Sequence, residues 1–182
     1  DRGNATGKRD YLVLVLASYL GMRSSDICNL RFENIDWESS CINIVQIKTD
    51  QPLTLPLLPE VGNAIIDYLK HGRPQSDDTH VLLNISSPFS PIQTSMIYQV
   101  ATQAFRRAGI DISNRRHGAH SLRHSLASRM LEGQTAMPII SEALGHTETN
   151  STMYYLRVDI TSLKSCQMET IPVSEQFYLQ FV

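Results

Sequence analysis

The stretch Ala119-His120-Ser121-Leu122-Arg123-His124-Ser125-Leu126-Ala127-Ser128-Arg129-Met130-Leu131-Glu132-Gly133 reads as one helix. Gly133 sets its end, because glycine takes the left-handed conformation that stops a helix. Residues three and four apart share a helix face, so His120, Arg123 and His124 are expected to project together. Three readings suit such a cluster. A metal site is one, since His117, His120 and His124 lie within ligand spacing; the positive charge of Arg115, Arg116 and Arg123 and the lack of a nearby carboxylate or thiolate oppose it. An anion site is the second, with the guanidinium as a planar fork and the imidazoles as further donors, which suits a phosphate. The third is a polar face that merely meets solvent.

Upstream of this helix a basic loop carries Arg115 and Arg116, and before it a helix runs from about Ser95 to Ala108 and stops at Gly109. Downstream, Thr135 and Pro138 open a short helix that Gly145 ends, which places His146 just past a helix stop. Further helices are expected near Asn150–Leu156 and Ile160–Gln167. Towards the start, Thr6 or Asp10 opens an apolar-rich helix that Gly21 terminates, and a short helix from Ser24 or Ser25 to Leu30 follows, with Arg23 at the junction. The β-rich run Cys41–Ile47, the turn Lys48-Thr49-Asp50-Gln51-Pro52 and the run Leu53–Leu57 form a hairpin with Lys48 near its tip. A third helix spans Pro59–His71, and Val81-Leu82-Leu83 reads as a short strand. The fold class that follows is mainly α with a small antiparallel β-sheet (α+β).

The chain has 182 residues and no disorder signature, so one domain is the expectation. Its longest apolar run, Tyr11 to Met22, is about half of the ~20 residues a membrane span needs. Cys28, Cys41 and Cys166 form no C-x-x-C pair, which fits buried thiols in a reducing compartment, and the cytoplasm is the expected setting. The start at Asp1, without an initiator methionine or signal-type core, is read as the start of a fragment of a longer protein. The net charge of −2 opposes nucleic-acid binding at first sight. Between Ala104 and Leu131, however, six arginines (106, 107, 115, 116, 123 and 129) face one acid, Asp111, a local charge of +5. One basic face on a mildly acidic body is compatible with that distribution, and so is a merely solvated helix surface.

Five segments taken in order carry a resemblance: Leu20-Gly21-Met22-Arg23-Ser24-Ser25-Asp26-Ile27-Cys28-Asn29-Leu30, Lys48 on its hairpin, His120-Ser121-Leu122-Arg123-His124, Leu144-Gly145-His146, and Thr152-Met153-Tyr154-Tyr155. Together they closely resemble the catalytic domain of the tyrosine recombinases, the phage-integrase family, over essentially the whole chain. The resemblance implies that fold for residues 1–168, a C-terminal tail over 169–182 that docks in cis or on a neighbouring subunit, and an N-terminal core-binding domain absent from this chain. It implies a site-specific DNA recombinase of a phage or mobile element, which cleaves and rejoins double-stranded DNA through a 3′-phosphotyrosyl intermediate and assembles as a tetramer on DNA. The alternatives are a type IB topoisomerase-like enzyme and a non-catalytic DNA-binding module.

Carried over residue by residue, the resemblance makes Arg23 and Arg123 the phosphate-binding arginines, Lys48 the hairpin lysine, His120 and His146 the two further active-site positions, and Tyr155 the nucleophile. Tyr154 is an adjacent competitor, and counting back to His146 favours Tyr155. Asp26 stands where the family more often has Glu and is expected to orient Arg23. The chemistry agrees with the assignment: two arginine forks and imidazole donors stabilise the charge on a five-coordinate phosphorus without a metal or cofactor. A phosphotyrosyl ester stores the energy of the broken bond for rejoining. Lys48 is the general acid for the leaving 5′-oxygen and His120 the base or shuttle for the tyrosine. Arg106, Arg107, Arg115, Arg116 and His124 are the expected DNA contacts. Arg123 is expected to be an exposed anion-site side chain whose removal leaves folding near normal.

Overall fold

The computed structural model describes residues 2–114 and 117–145. Helix α1 (Ala5–Tyr19) begins at Asn4, whose side chain accepts from the Gly7 amide at 2.7 Å, an N-cap that satisfies one of the orphan amides of the first turn. Arg9, Leu12, Val13, Val15, Leu16 and Ala17 of α1 are all buried. A helix covered on this many sides is a central one, and α1 packs against α3 (Pro59–His71), α4 (Thr94–Arg107) and α5 (Ala119–Glu132). It stops where Gly21 turns to φ +61°. A Cβ there would lie 2.7 Å from Leu144 and 3.0 Å from Leu126, so glycine is needed for space as well as conformation.

The short helix α2 (Ser24–Cys28) follows at once, with Arg23 in extended backbone at its N-cap. Strands β1 (Ile35–Asp36), β2 (Cys41–Val45) and β3 (Pro52–Pro56) form an antiparallel sheet in the order β1-β2-β3. Its register pairs Ile42 with Leu55 and Val45 with Pro52. The alternation along β2 buries Ile42 and Ile44 against the core and exposes Asn43 and Val45. Helix α6 (Met137–Ala143) closes the described chain. The main core joins α1, α2, the sheet, α3 and α4, whereas Ala127, Ile140 and Leu144 form a separate small cluster between α5 and α6.

The expected hairpin and the expected helices up to Gly145 are present; α3 and α5 have the expected bounds. Helices near 150–156 and 160–167 lie outside the described residues. The expected strand Val81–Leu83 does not form, although all three side chains are fully buried. Its backbone groups are met piecemeal and not by a continuous ladder: the Val81 amide donates to the Leu30 carbonyl, the Leu82 carbonyl accepts from the Ile92 amide, and Leu83 makes an isolated antiparallel bridge with Pro91. Arg73 donates to the carbonyls of Asp78, His80 and Val81, and the Tyr68 hydroxyl meets both the amide and the carbonyl of Leu83. The strand β1 and the single 3-10 turn before it, Phe32–Asn34, were not expected; two residues are too few to show an alternation.

Candidate active site

Segments far apart in sequence meet at the turn that ends α6. The Leu144 carbonyl accepts from Arg123 Nη2 and, at 3.4 Å, from Gln46 Nε2. The adjacent Gly145 carbonyl accepts from Arg23 Nη2 at 3.0 Å. The other arm of the Arg123 fork donates to the Gly21 carbonyl, at the turn between α1 and α2. Two guanidiniums, the hairpin and the residue before His146 are thereby held in one place.

Arg123 is 3% exposed, which corrects the expectation of an exposed side chain. It also separates Arg123 from its helix neighbours, because the fork turns inward to two carbonyls while His120 is exposed and His124 half-buried. The two imidazoles face each other, Nε2 to Nε2 at 2.6 Å with rings edge-on, an arrangement in which one nitrogen donates and the other accepts. His117 instead meets the Tyr98 hydroxyl at 2.5 Å. Among the described residues no group of three or more His, Cys, Asp or Glu side chains is placed to hold a metal ion.

Arg23 keeps one buried nitrogen, Nη1, with no hydrogen-bond partner among the described residues. An unpaired buried donor on a cation is costly, and it is the group an anionic oxygen would satisfy. Asp26 does not bond to Arg23, contrary to expectation. Its Oδ1 accepts from the Ile47 amide at 3.0 Å and from the Ser25 hydroxyl at 3.4 Å, so the shorter carboxylate anchors the hairpin. Lys48, the next residue, is exposed at the tip. The tip itself is a compact loop: the Gln46 amide donates to the Gln51 carbonyl at 2.9 Å, and the Gln46 carbonyl accepts from the Asp50 and Thr49 amides.

Gln46 was not singled out from the sequence. It is 1% exposed and follows Ile42 and Ile44 on the inward face, so a carboxamide at an apolar register position was the available signal. Cys28 is buried, and burial pushes its thiol up to about 11, which keeps it protonated and out of nucleophilic chemistry.

The described arginines between 104 and 131 do not share one face. Arg106 and Arg107 are exposed in the last turn of α4. Arg107 lines a hollow with Asn4, Thr6, Gly7 and Asp10 at the start of α1, about 20 Å along that helix from the turn bearing Arg23. Arg129 donates to the Ser18 carbonyl. His146, Tyr154, Tyr155, Arg115, Arg116 and Cys166 lie outside the described residues. No helix among the described residues is long and apolar enough to cross a membrane.

Comparison with known proteins gives a consistent set of similarities. The phage integrase family model matches residues 1–161. An integrase/recombinase of Sinorhizobium fredii is 33% identical over 163 residues, which is 90% of this chain and 83% of that protein. The tyrosine recombinase XerA of Pyrococcus furiosus is 32% identical over 158 residues, 86% of this chain and 52% of XerA, so the chain spans about half the length of that relative. Among solved structures, the XerH site-specific recombinase in a post-cleavage complex with a palindromic difH substrate is similar with a TM-score of 0.75 at 22% identity, over 89% of this chain and 46% of that one.

Proposed function

This chain belongs to the phage integrase family, and from that premise we propose that it is the catalytic part of a site-specific DNA recombinase, acting on double-stranded DNA in the cytoplasm. The observation that carries the reading is the convergence on consecutive carbonyls, Leu144 and Gly145, of Arg123, Arg23 and the hairpin bearing Lys48. Two guanidiniums meet at the residues that precede a histidine, and together they supply positive charge and donors at one place. A phosphodiester bound there as an anion would use that charge and satisfy the buried Arg23 Nη1.

In this mechanism Arg23 and Arg123 hold the non-bridging oxygens of the scissile phosphate, joined by His146 as a further donor. The Tyr155 oxygen attacks phosphorus as His120 takes its proton, and the bond to the 5′-oxygen breaks. Lys48 supplies the proton to that leaving oxygen. The product is a 3′-phosphotyrosyl ester and a free 5′-hydroxyl, and the reverse attack by a 5′-hydroxyl of another strand reseals the backbone with no nucleotide cofactor. Arg106, Arg107, Arg115, Arg116 and His124 contact flanking DNA. The assembly on DNA is a tetramer, with residues 169–182 docked on a neighbouring subunit.

The test is formation of a denaturant-stable adduct with a pool of nicked duplexes that lose the 5′-hydroxyl fragment on cleavage. The expected result is DNA joined through a 3′-phosphate to Tyr155 and no adduct from Tyr155→Phe. Attachment at Tyr154 would move the nucleophile, and DNA binding without an adduct would overturn the reading.

A further inference from the structure

We propose that Gln46 is a positioning residue, which fixes the Lys48 hairpin against the phosphate-binding arginines; the inference rests on the function proposed above. Gln46 lies two residues before Lys48 and is almost wholly buried. Its carboxamide is held at both ends. Oε1 accepts from the Thr49 hydroxyl at 2.8 Å, inside the tip, and Nε2 donates to the Leu144 carbonyl at 3.4 Å, outside it. That carbonyl is the one to which Arg123 donates.

The opposite side of the hairpin is held by a different element, through the Ile47 amide and Asp26 of α2. The tip is thus clamped between α2 and the end of α6, and Gln46 is its link to α6. The fit leaves no slack: Gly145 stands at φ +59°, and a Cβ on it would lie 2.3 Å from Gln46 Nε2. A carboxamide suits the position because it donates and accepts at once. Neither an apolar side chain nor a carboxylate bridges a hydroxyl and a carbonyl.

Lys48 itself is exposed at the end of this clamp. Its distance from the phosphate is therefore set by the backbone that Gln46 holds, and misplacement by about 1 Å costs on the order of 10²-fold in rate. Gln46 acts through Lys48, so a Gln46 defect should have the signature of a missing proton donor. It should not have that of a missing phosphate ligand.

The experiment uses the duplex recovered by adduct selection, synthesised with either the natural 5′-oxygen or a 5′-bridging sulfur at the scissile phosphate. With sulfur the phosphorus–sulfur bond breaks to give a thiolate, which leaves without a proton. Gln46→Leu is expected to slow adduct formation on the oxygen substrate by about 10- to 100-fold and to match the unaltered chain on sulfur. Thr49→Val, which frees only the inner end of the carboxamide and carries little folding risk, should show a smaller loss with the same rescue. Equal loss on both substrates, or no loss on either, would overturn the role assigned to Gln46. Lys48→Ala separates this failure from that of the proposed mechanism. If Lys48→Ala is rescued by sulfur and Gln46→Leu is not, only the positioning role falls; if Lys48→Ala is not rescued, the general-acid assignment falls and the inference with it.

Discussion

The two packed regions of the molecule are built differently. The larger, around α1, α3 and the sheet, is held by apolar burial, with Leu12, Leu16, Ile42, Ile65, Tyr68 and Leu82 fully enclosed. The smaller, between α5 and α6, has only Ala127, Ile140 and Leu144 fully buried. Beyond the close approach of Leu126 and Leu144 to Gly21, what ties its end to the rest is polar: Arg123 to the Gly21 and Leu144 carbonyls, Arg23 to Gly145, and Gln46 to Leu144. The residues assigned to phosphate binding are therefore also the fasteners of the weaker region. On that proposed assignment, function and stability are coupled there and separable in the larger core.

The largest expected effect tests that coupling directly. Arg123→Ala should lower adduct formation by about 10³-fold or more, the scale of losing a charge-stabilising donor. It should also destabilise by about 1–3 kcal/mol, because in a buried place the Gly21 carbonyl loses its Arg123 donor and the Leu144 carbonyl keeps only Gln46. The control is Leu82→Ala in the larger core, expected to cost about 2–5 kcal/mol while leaving the adduct rate within a few-fold at temperatures where the variant is folded. Thermal melts and adduct kinetics on both variants decide the matter. An unchanged melt for Arg123→Ala would break the comparison.

Next in size is Gly145→Ala. A non-glycine residue in the left-handed region costs about 1–2 kcal/mol, and the new methyl would collide with Gln46. Amide exchange should quicken in α6 and at the hairpin tip but not in α1 or α3. Uniform quickening would mean that the two regions open as one unit. Asp26→Ala comes third: it strands the Ile47 amide and should cost about 1–3 kcal/mol. Asp26→Asn retains an acceptor and should cost less. If both variants destabilised equally, the carboxylate charge rather than the hydrogen bond would be the anchor.

How far the sequence could be read follows the same division. Where a periodic apolar pattern and a stop residue coincide, as at Pro59–His71 and Ala119–Glu132, the bounds were legible. Val81–Leu83 was misread because composition reports burial and not what satisfies the backbone, and here single main-chain bonds to Leu30 and Ile92, together with Arg73 and Tyr68, stand in place of a continuous neighbouring strand. Of the proposed site, the order along the chain singled out Arg23, Arg123 and the Lys48 hairpin, which the structure brings to one turn, and His120, which faces His124 instead. The burial of Arg123 and the turning of Asp26 to the hairpin were not legible, because helix spacing fixes which side chains are neighbours but not which carbonyls of distant turns lie within reach. Gln46 was visible only as an anomaly, a polar residue at an inward position.

The smallest effect belongs to a charge pair on the larger region, which makes it the sharpest test of the claim that ion pairs matter little there. Lys8 of α1 donates to both carboxylate oxygens of Asp67 on α3, at 2.7 and 2.8 Å. The hydrogen bond from Lys8 holds the Asp67 carboxyl below its ordinary 3.8. A carboxyl whose value is depressed by folding contributes stability above that ordinary value and loses it as the pH falls through the depressed one. Asp67→Asn should therefore melt slightly earlier than the unaltered chain above about pH 5, by a constant amount, and the difference should begin to shrink near 3.8 and vanish only below the depressed value, where folded Asp67 takes up its proton. Salt should shrink the difference as well, since the pair is near the surface. A gap as large as that produced by Arg123→Ala would mean that α1 and α3 are joined by charge as well as by apolar packing, and the contrast between the two regions would be lost.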